Sequence, residues 1–185
     1  MPRYAVFVDG GYIRPTLKAF GPPIPSISYE KLAAKFRGQD ELLRMYYYDC
    51  APFQSKTPTP DEKTRKAHFD TFRNQLENLP RTEVRLGKLA RRRPAETGQG
   101  WRFEQKQVDV LLTVDLVRLS CTNQIQRAVI VGCDSDFVPA IQAAKDVGVI
   151  VQICYCPRTP PNNEILMKCD DPIVFDDAFL AFVRV

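Results

Sequence analysis

The chain has 185 residues, 44% of them hydrophobic and 26% charged, with a formal net charge of +4. That length suits one α/β domain with its own core, and no apolar run approaches the roughly 18 residues a helix needs to span a bilayer, so the chain is not expected to cross a membrane. The N-terminal MPRYAVFVDGG has a short apolar run that ends in Asp9 instead of a small-residue cleavage site, so it does not read as a signal peptide, and the expected location is cytoplasmic.

Strand-length apolar runs alternate with longer helical patterns, the signature of a mostly parallel sheet of five to six strands with helices on both faces. Tyr4 to Val8 reads as the first strand, ended by Asp9-Gly10-Gly11. Ile13 to Phe20 predicts a short helix stopped by GPPIP, and Tyr29 to Phe36 a second one with Ser28 as its cap. Leu42 to Tyr48 is the second strand. After a proline-rich connection, Thr59, Pro60, Asp61 and Glu62 announce a helix that runs to about Leu79. Glu83 to Leu89 is the third strand, and Trp101 to Phe103 returns as the second arm of a hairpin, a basic insertion at about 88–105. Lys106 to Leu119 is helical, Ala128 to Val131 is the fourth strand, Phe137 to Val147 a helix stopped by Gly148, and Val149 to Tyr155 the fifth strand. Ile173 to Phe175 is a short sixth strand, and Asp177 to Phe182 a closing helix.

The six cysteines form no CxxC pair, and four lie in or beside apolar runs, so reduced, mostly buried thiols are expected instead of disulfides or zinc ligands. The single His68 sits on a polar helix and is expected to be exposed. Between Arg81 and Lys106 there are eight basic residues and three acidic ones, a local cationic patch. Tyr46-Tyr47-Tyr48, at the end of a strand, are expected to pack in the sheet.

In an open parallel sheet, ligands bind outside the carboxyl ends of the strands, near the switch in strand order. Asp9 follows the first strand, and Asp134 and Asp136 of GCDSDF follow the fourth. If those strands are neighbours, three carboxylates converge. Like charges a few ångströms apart raise one another's pKa, a cost that a hard divalent cation among them would remove. Pro139, tolerated only in the first turn, makes that helix begin near Ser135 or Asp136 and leaves Asp134 in the turn. Singly each carboxylate could be a cap or a turn residue; jointly they read as a site. Asp109, in the first turn of its helix, can reach the same edge. Asp115, about 120° further round, shares the apolar stripe and needs a buried partner.

VFVDGGY, KQVDVLLTVDL and IVGCDSDFVPAIQAAKDVGVIV, in this order, resemble the three signature blocks of the NYN domain family of the LabA-like kind, within the PIN-like nuclease superfamily. The resemblance covers roughly residues 4 to 155. It implies a Rossmann-like PIN fold, a single NYN domain over 1–185, and a ribonuclease site at Asp9, Asp109, Asp134 and Asp136 holding Mg²⁺ or Mn²⁺. The chain departs from the family pattern at Tyr12, where asparagine is common, at Gln107, where glycine is common, and at Cys133, where a small residue is usual.

The expected reaction is phosphodiester hydrolysis by a divalent-metal-dependent endoribonuclease. Expected partners are RNA and no membrane, with a homodimer left open. Arg91, Arg92, Arg93 and Trp101, with Lys88, Lys106 and Ser135, are the candidate contacts to a nucleic-acid backbone and base. The alternative is a catalytically weak PIN-like module that binds RNA or a protein. A phosphatase with Asp9 as nucleophile is disfavoured, because its usual second aspartate two residues on is Gly11 here.

Overall fold

The computed structural model describes residues 1–92, 102–161 and 163–185, with only the backbone course of 90–92 and 102–106. In chain order the elements are β1 (Arg3–Asp9), α1 (Gly10–Lys18), α2 (Tyr29–Lys35), β2 (Glu41–Cys50), α3 (Pro60–Glu77), β3 (Thr82–Arg92), β4 (Arg102–Lys106) and α4 (Val108–Cys121). They continue with β5 (Arg127–Val131), a 3-10 turn (Ser135–Phe137), α5 (Val138–Asp146), β6 (Ile150–Tyr155), α6 (Asn163–Lys168), β7 (Asp171–Val174) and α7 (Asp177–Val183).

The strands form one sheet in the order β4-β3-β2-β1-β5-β6-β7, six of them parallel and β4 antiparallel to β3 at the edge. β1 sits at the centre because its residues from Tyr4 to Val8 are apolar on both sides: Tyr4, Val6 and Val8 enter one core, Ala5 and Phe7 the other. The first core lies under α1, α2 and α7, through Ile13, Leu32 and Phe179. The second lies under α4, α5 and α6, through Leu112, Ile141 and Ile165. This is the Rossmann-like arrangement, with the switch in strand order at β1, which has β2 on one side and β5 on the other.

Most local signals act as expected. Ser28 caps α2, and Thr59 and Glu62 close a capping box at the start of α3. Tyr46, Tyr47 and Tyr48 are buried, with Tyr46 and Tyr48 stacked near Phe7. None of the six cysteines is in a disulfide, five of them are buried or half-buried, and His68 is exposed. Among the described residues no helix is long and apolar enough to cross a membrane.

The differences have physical reasons. The six parallel strands are the expected central sheet, and the hairpin arm joins it as a seventh, antiparallel edge strand that runs over Arg102–Lys106 instead of Trp101–Phe103, paired from Lys88↔Lys106 to Arg92↔Arg102. Helix α1 begins at Gly10, three residues before the first apolar position, because the Asp9 side chain caps it by accepting the Gly11 N–H. Helix α6 has six residues, too few to carry a readable period.

Candidate functional site

Three elements meet at the same edge of the sheet, where β1 and β5 end and α4 begins. Asp9 closes β1, Asp134 lies just beyond β5, and Asp109 stands in the first turn of α4. β1 and β5 pair directly, with Val8 opposite Val131, so the two strand ends are neighbours. Asp9, Asp109 and Asp134 line one cavity of about 320 Å³ with Gly11, Tyr12 and Cys133.

Two of these carboxylates are aimed by their own backbone. Asp9 Oδ1 accepts the Gly11 N–H at 2.7 Å, and Asp134 Oδ1 accepts the Asp136 N–H at 3.0 Å. Asp134, at the strand-to-helix turn, is therefore the cap of the 3-10 turn, with Pro139 seated at the start of α5. Gly10 allows β1 and α1 to meet β2: a Cβ there would lie 2.7 Å from Tyr47 Oη and 2.8 Å from the Tyr48 carbonyl oxygen.

The electrostatics are those of like charges that raise one another's pKa. Burial raises the Asp9 carboxyl to about 6, the Gly11 N–H opposes the rise, and the charges of Asp109 and Asp134 add to it. Asp109 is raised as well, first by burial and then by Asp134 and Asp136. Among the described residues no Lys or Arg forms an ion pair with any of these four. Among the described residues no group of three or more His, Cys, Asp or Glu side chains is arranged so that it could hold a metal ion.

Asp136 is exposed and outside the cavity lining; it acts on Asp109 through its charge. Ser135 is half-buried in the turn, and Lys88 is exposed on β3. Arg91, Arg92 and Lys106 belong to the β3–β4 ladder, and their side chains, like all of Arg93 and Trp101, lie outside the described residues. Asp115 has the buried partner its position demands: its Oδ2 accepts the Tyr48 hydroxyl at 3.0 Å, and Arg85 and Arg118 both pair with it.

Two features escape sequence reasoning. Tyr12 lines the cavity while its hydroxyl accepts the Cys156 N–H at 2.9 Å, tying α1 to the end of β6. Asp49, at the carboxyl end of β2, is fully buried under Arg14, which donates to both its oxygens. The rule that singles out Asp9 and Asp134 also singles out Asp49, but its ion pair removes it from the open set.

Comparison with protein families matches the NYN domain to residues 3–176. The chain belongs to the NYN domain family. That family implies a PIN-like nuclease. A protein of unknown function from Vibrio parahaemolyticus is similar in fold, with a TM-score of 0.66 and 19% identity over 100% of this chain and 96% of that one. Acinetobacter baumannii MurG matches at 14% identity over 94% of this chain and 45% of its own, and its TM-score of 0.35 carries no argument. No curated protein matches the sequence.

Proposed function

We propose that this NYN domain is a divalent-metal-dependent endoribonuclease. The observation that carries the reading is the convergence of Asp9, Asp109 and Asp134 on one cavity with no described cation paired to them. The donor chemistry suits Mg²⁺ or Mn²⁺ although the three carboxylates do not form a closed metal-binding group as they stand: their oxygens are hard ligands, and such ions bind through one or two carboxylates, keep several waters and take the rest of their shell from substrate phosphate. Asp9, Asp109 and Asp134 would hold the ion, with Asp136 adding negative charge beside Asp109. Bound there, the ion would supply an activated water and neutralise charge on the scissile phosphate.

The chain's own residues supply the rest. The backbone N–H groups of Gly11 and Asp136 fix the two strand-end carboxylates, so their orientation is set before substrate arrives. The Tyr12 ring, pinned at its hydroxyl, closes one wall of the cavity. With its carboxyl raised to about 6, Asp9 would be ionised and open to a cation at neutral pH, and protons would compete with the cation below about pH 6.

The test is cleavage of a labelled single-stranded RNA with Mn²⁺, with EDTA, and by Asp134→Asn with Mn²⁺. Cleavage in the first alone supports the reading. Cleavage in all three means contamination and contradicts it. RNA binding without cleavage in any condition favours the alternative, a PIN-like RNA-binding module.

A further inference from the structure

Helix α3 is poorly covered: of its 18 residues only Leu76 is buried, and Phe69 and Phe72 are left partly exposed. Beneath it, between α3 and the α1–α2 face, lies a cavity of about 860 Å³, within the roughly 300–1,000 Å³ of small-ligand sites. Its wall carries three aromatic rings, Tyr29, Phe69 and Phe72, with Tyr29 and Phe72 tilted at a centroid distance of 5.7 Å. Arg14, Arg65 and His68 also line it, and among the described residues no Asp or Glu side chain does.

Two relations connect this cavity with the carboxylate site. Its lining includes Cys50, Ala51 and Pro52, the residues that leave the carboxyl end of β2, and β2 is the strand next to β1, with Asp9 opposite Tyr48. Neighbouring strands are about 4.8 Å apart, so the Cys50–Pro52 end of the cavity lies at the same edge of the sheet as Asp9. The polar character also suits a polyanion. The Arg14 guanidinium is neutralised from beneath by Asp49 but remains 45% exposed, so its outer face can stack, while exposed Arg65, one turn from Glu62, faces solvent.

We propose that this cavity is a nucleobase pocket, which takes one unpaired base of an RNA strand whose backbone runs on to the carboxylates. It rests on the reading of the carboxylates as a phosphodiester site. Stacking on aromatic and guanidinium planes is how proteins hold splayed-out single-stranded bases, and it depends on the strand being unpaired.

The experiment measures binding and chemistry separately. With EDTA present, the full chain is titrated into a fluorescein-labelled ten-nucleotide oligouridylate and the Kd read by anisotropy; the same oligonucleotide carrying one 5-iodouridine is photocrosslinked and the adduct located by mass spectrometry. Phe69→Ala and Arg65→Glu should each raise Kd about tenfold. Arg37→Glu, the same charge change at the opposite edge of the sheet, should not, and the adduct should fall on α3 or on Tyr29. Both Kd values unchanged, or adducts confined to other elements, overturn the pocket even if Mn²⁺-dependent cleavage stands; that is also the result if the cavity takes a peptide or an acyl chain. An adduct on α3 with no cleavage by the wild type keeps the pocket and removes the nuclease reading.

Discussion

Gln107 holds a left-handed backbone conformation, φ 74°, at the cap position of the helix that carries Asp109 into the cavity two residues later. The family commonly has glycine at this place, and the structure supplies the reason: an L side chain in that conformation costs about 1–2 kcal/mol, which glycine avoids at the expense of greater freedom in the unfolded chain. Gln107→Gly should therefore stabilise the protein by about 0.5–1 kcal/mol, a rise in Tm of roughly 2 °C for a chain of this size. Thermal unfolding followed by circular dichroism checks it.

At Gly10 the opposite holds. A Cβ would stand 2.9 Å from Asp49 Cγ, besides the close contacts to Tyr47 and Tyr48, in a fully packed crossing of β1 and β2. Gly10→Ala should cost about 1–3 kcal/mol and displace the Asp9 turn, so RNA cleavage should fall further than the loss of folded protein explains. Activity normalised to the folded fraction separates the two effects.

Burial and like charge give Asp9 a pH signature. Its carboxyl is raised from 3.8 to about 6, so the folded state holds the proton more tightly than the unfolded chain does. The stability this contributes is complete below about pH 3.8, is lost as pH rises through about 6, and stays lost above. Asn can still accept the Gly11 N–H, so in EDTA the Asp9→Asn variant should be more stable than wild type above pH 6, by up to about 2 kcal/mol, and the gap should shrink toward pH 4. Denaturant midpoints at pH 4 and pH 7.5 measure it; a gap that widens on acidification contradicts the assignment.

Asp115 should behave as a structural residue. It joins the Tyr48 hydroxyl to Arg85 and Arg118 beneath α4, and removing it leaves the buried hydroxyl without its acceptor. Asp115→Ala should cost about 2 kcal/mol while leaving the Mn²⁺ concentration for half-maximal cleavage unchanged; Asp109→Asn should leave stability intact and raise that concentration. Parallel melting curves and metal titrations distinguish them.

How much was legible in the sequence varied with the range of the interaction. Apolar runs marked β1, β2, β5 and β6, because strands buried on both faces cannot alternate. Asp9 and Asp134 were legible as strand-end residues, and the direct pairing of β1 with β5 supplied the neighbourhood that the pattern could only make conditional. Asp49 was not legible: whether a strand-end carboxylate is open or neutralised depends on Arg14, 35 residues earlier. Tyr12 escaped for the same reason, since its hydroxyl meets Cys156, 144 residues away. The sequence of β4, RFEQK, marks a hairpin arm and no more, because it has no run of apolar residues.

The most direct measurement of the central claim is isothermal titration of Mn²⁺ into metal-free wild type and into Asp9→Asn, Asp109→Asn and Asp134→Asn. A saturable site in wild type that is weakened at least tenfold in each variant is the predicted result. Wild type that takes up no Mn²⁺, or three variants that bind it as wild type does, would contradict it.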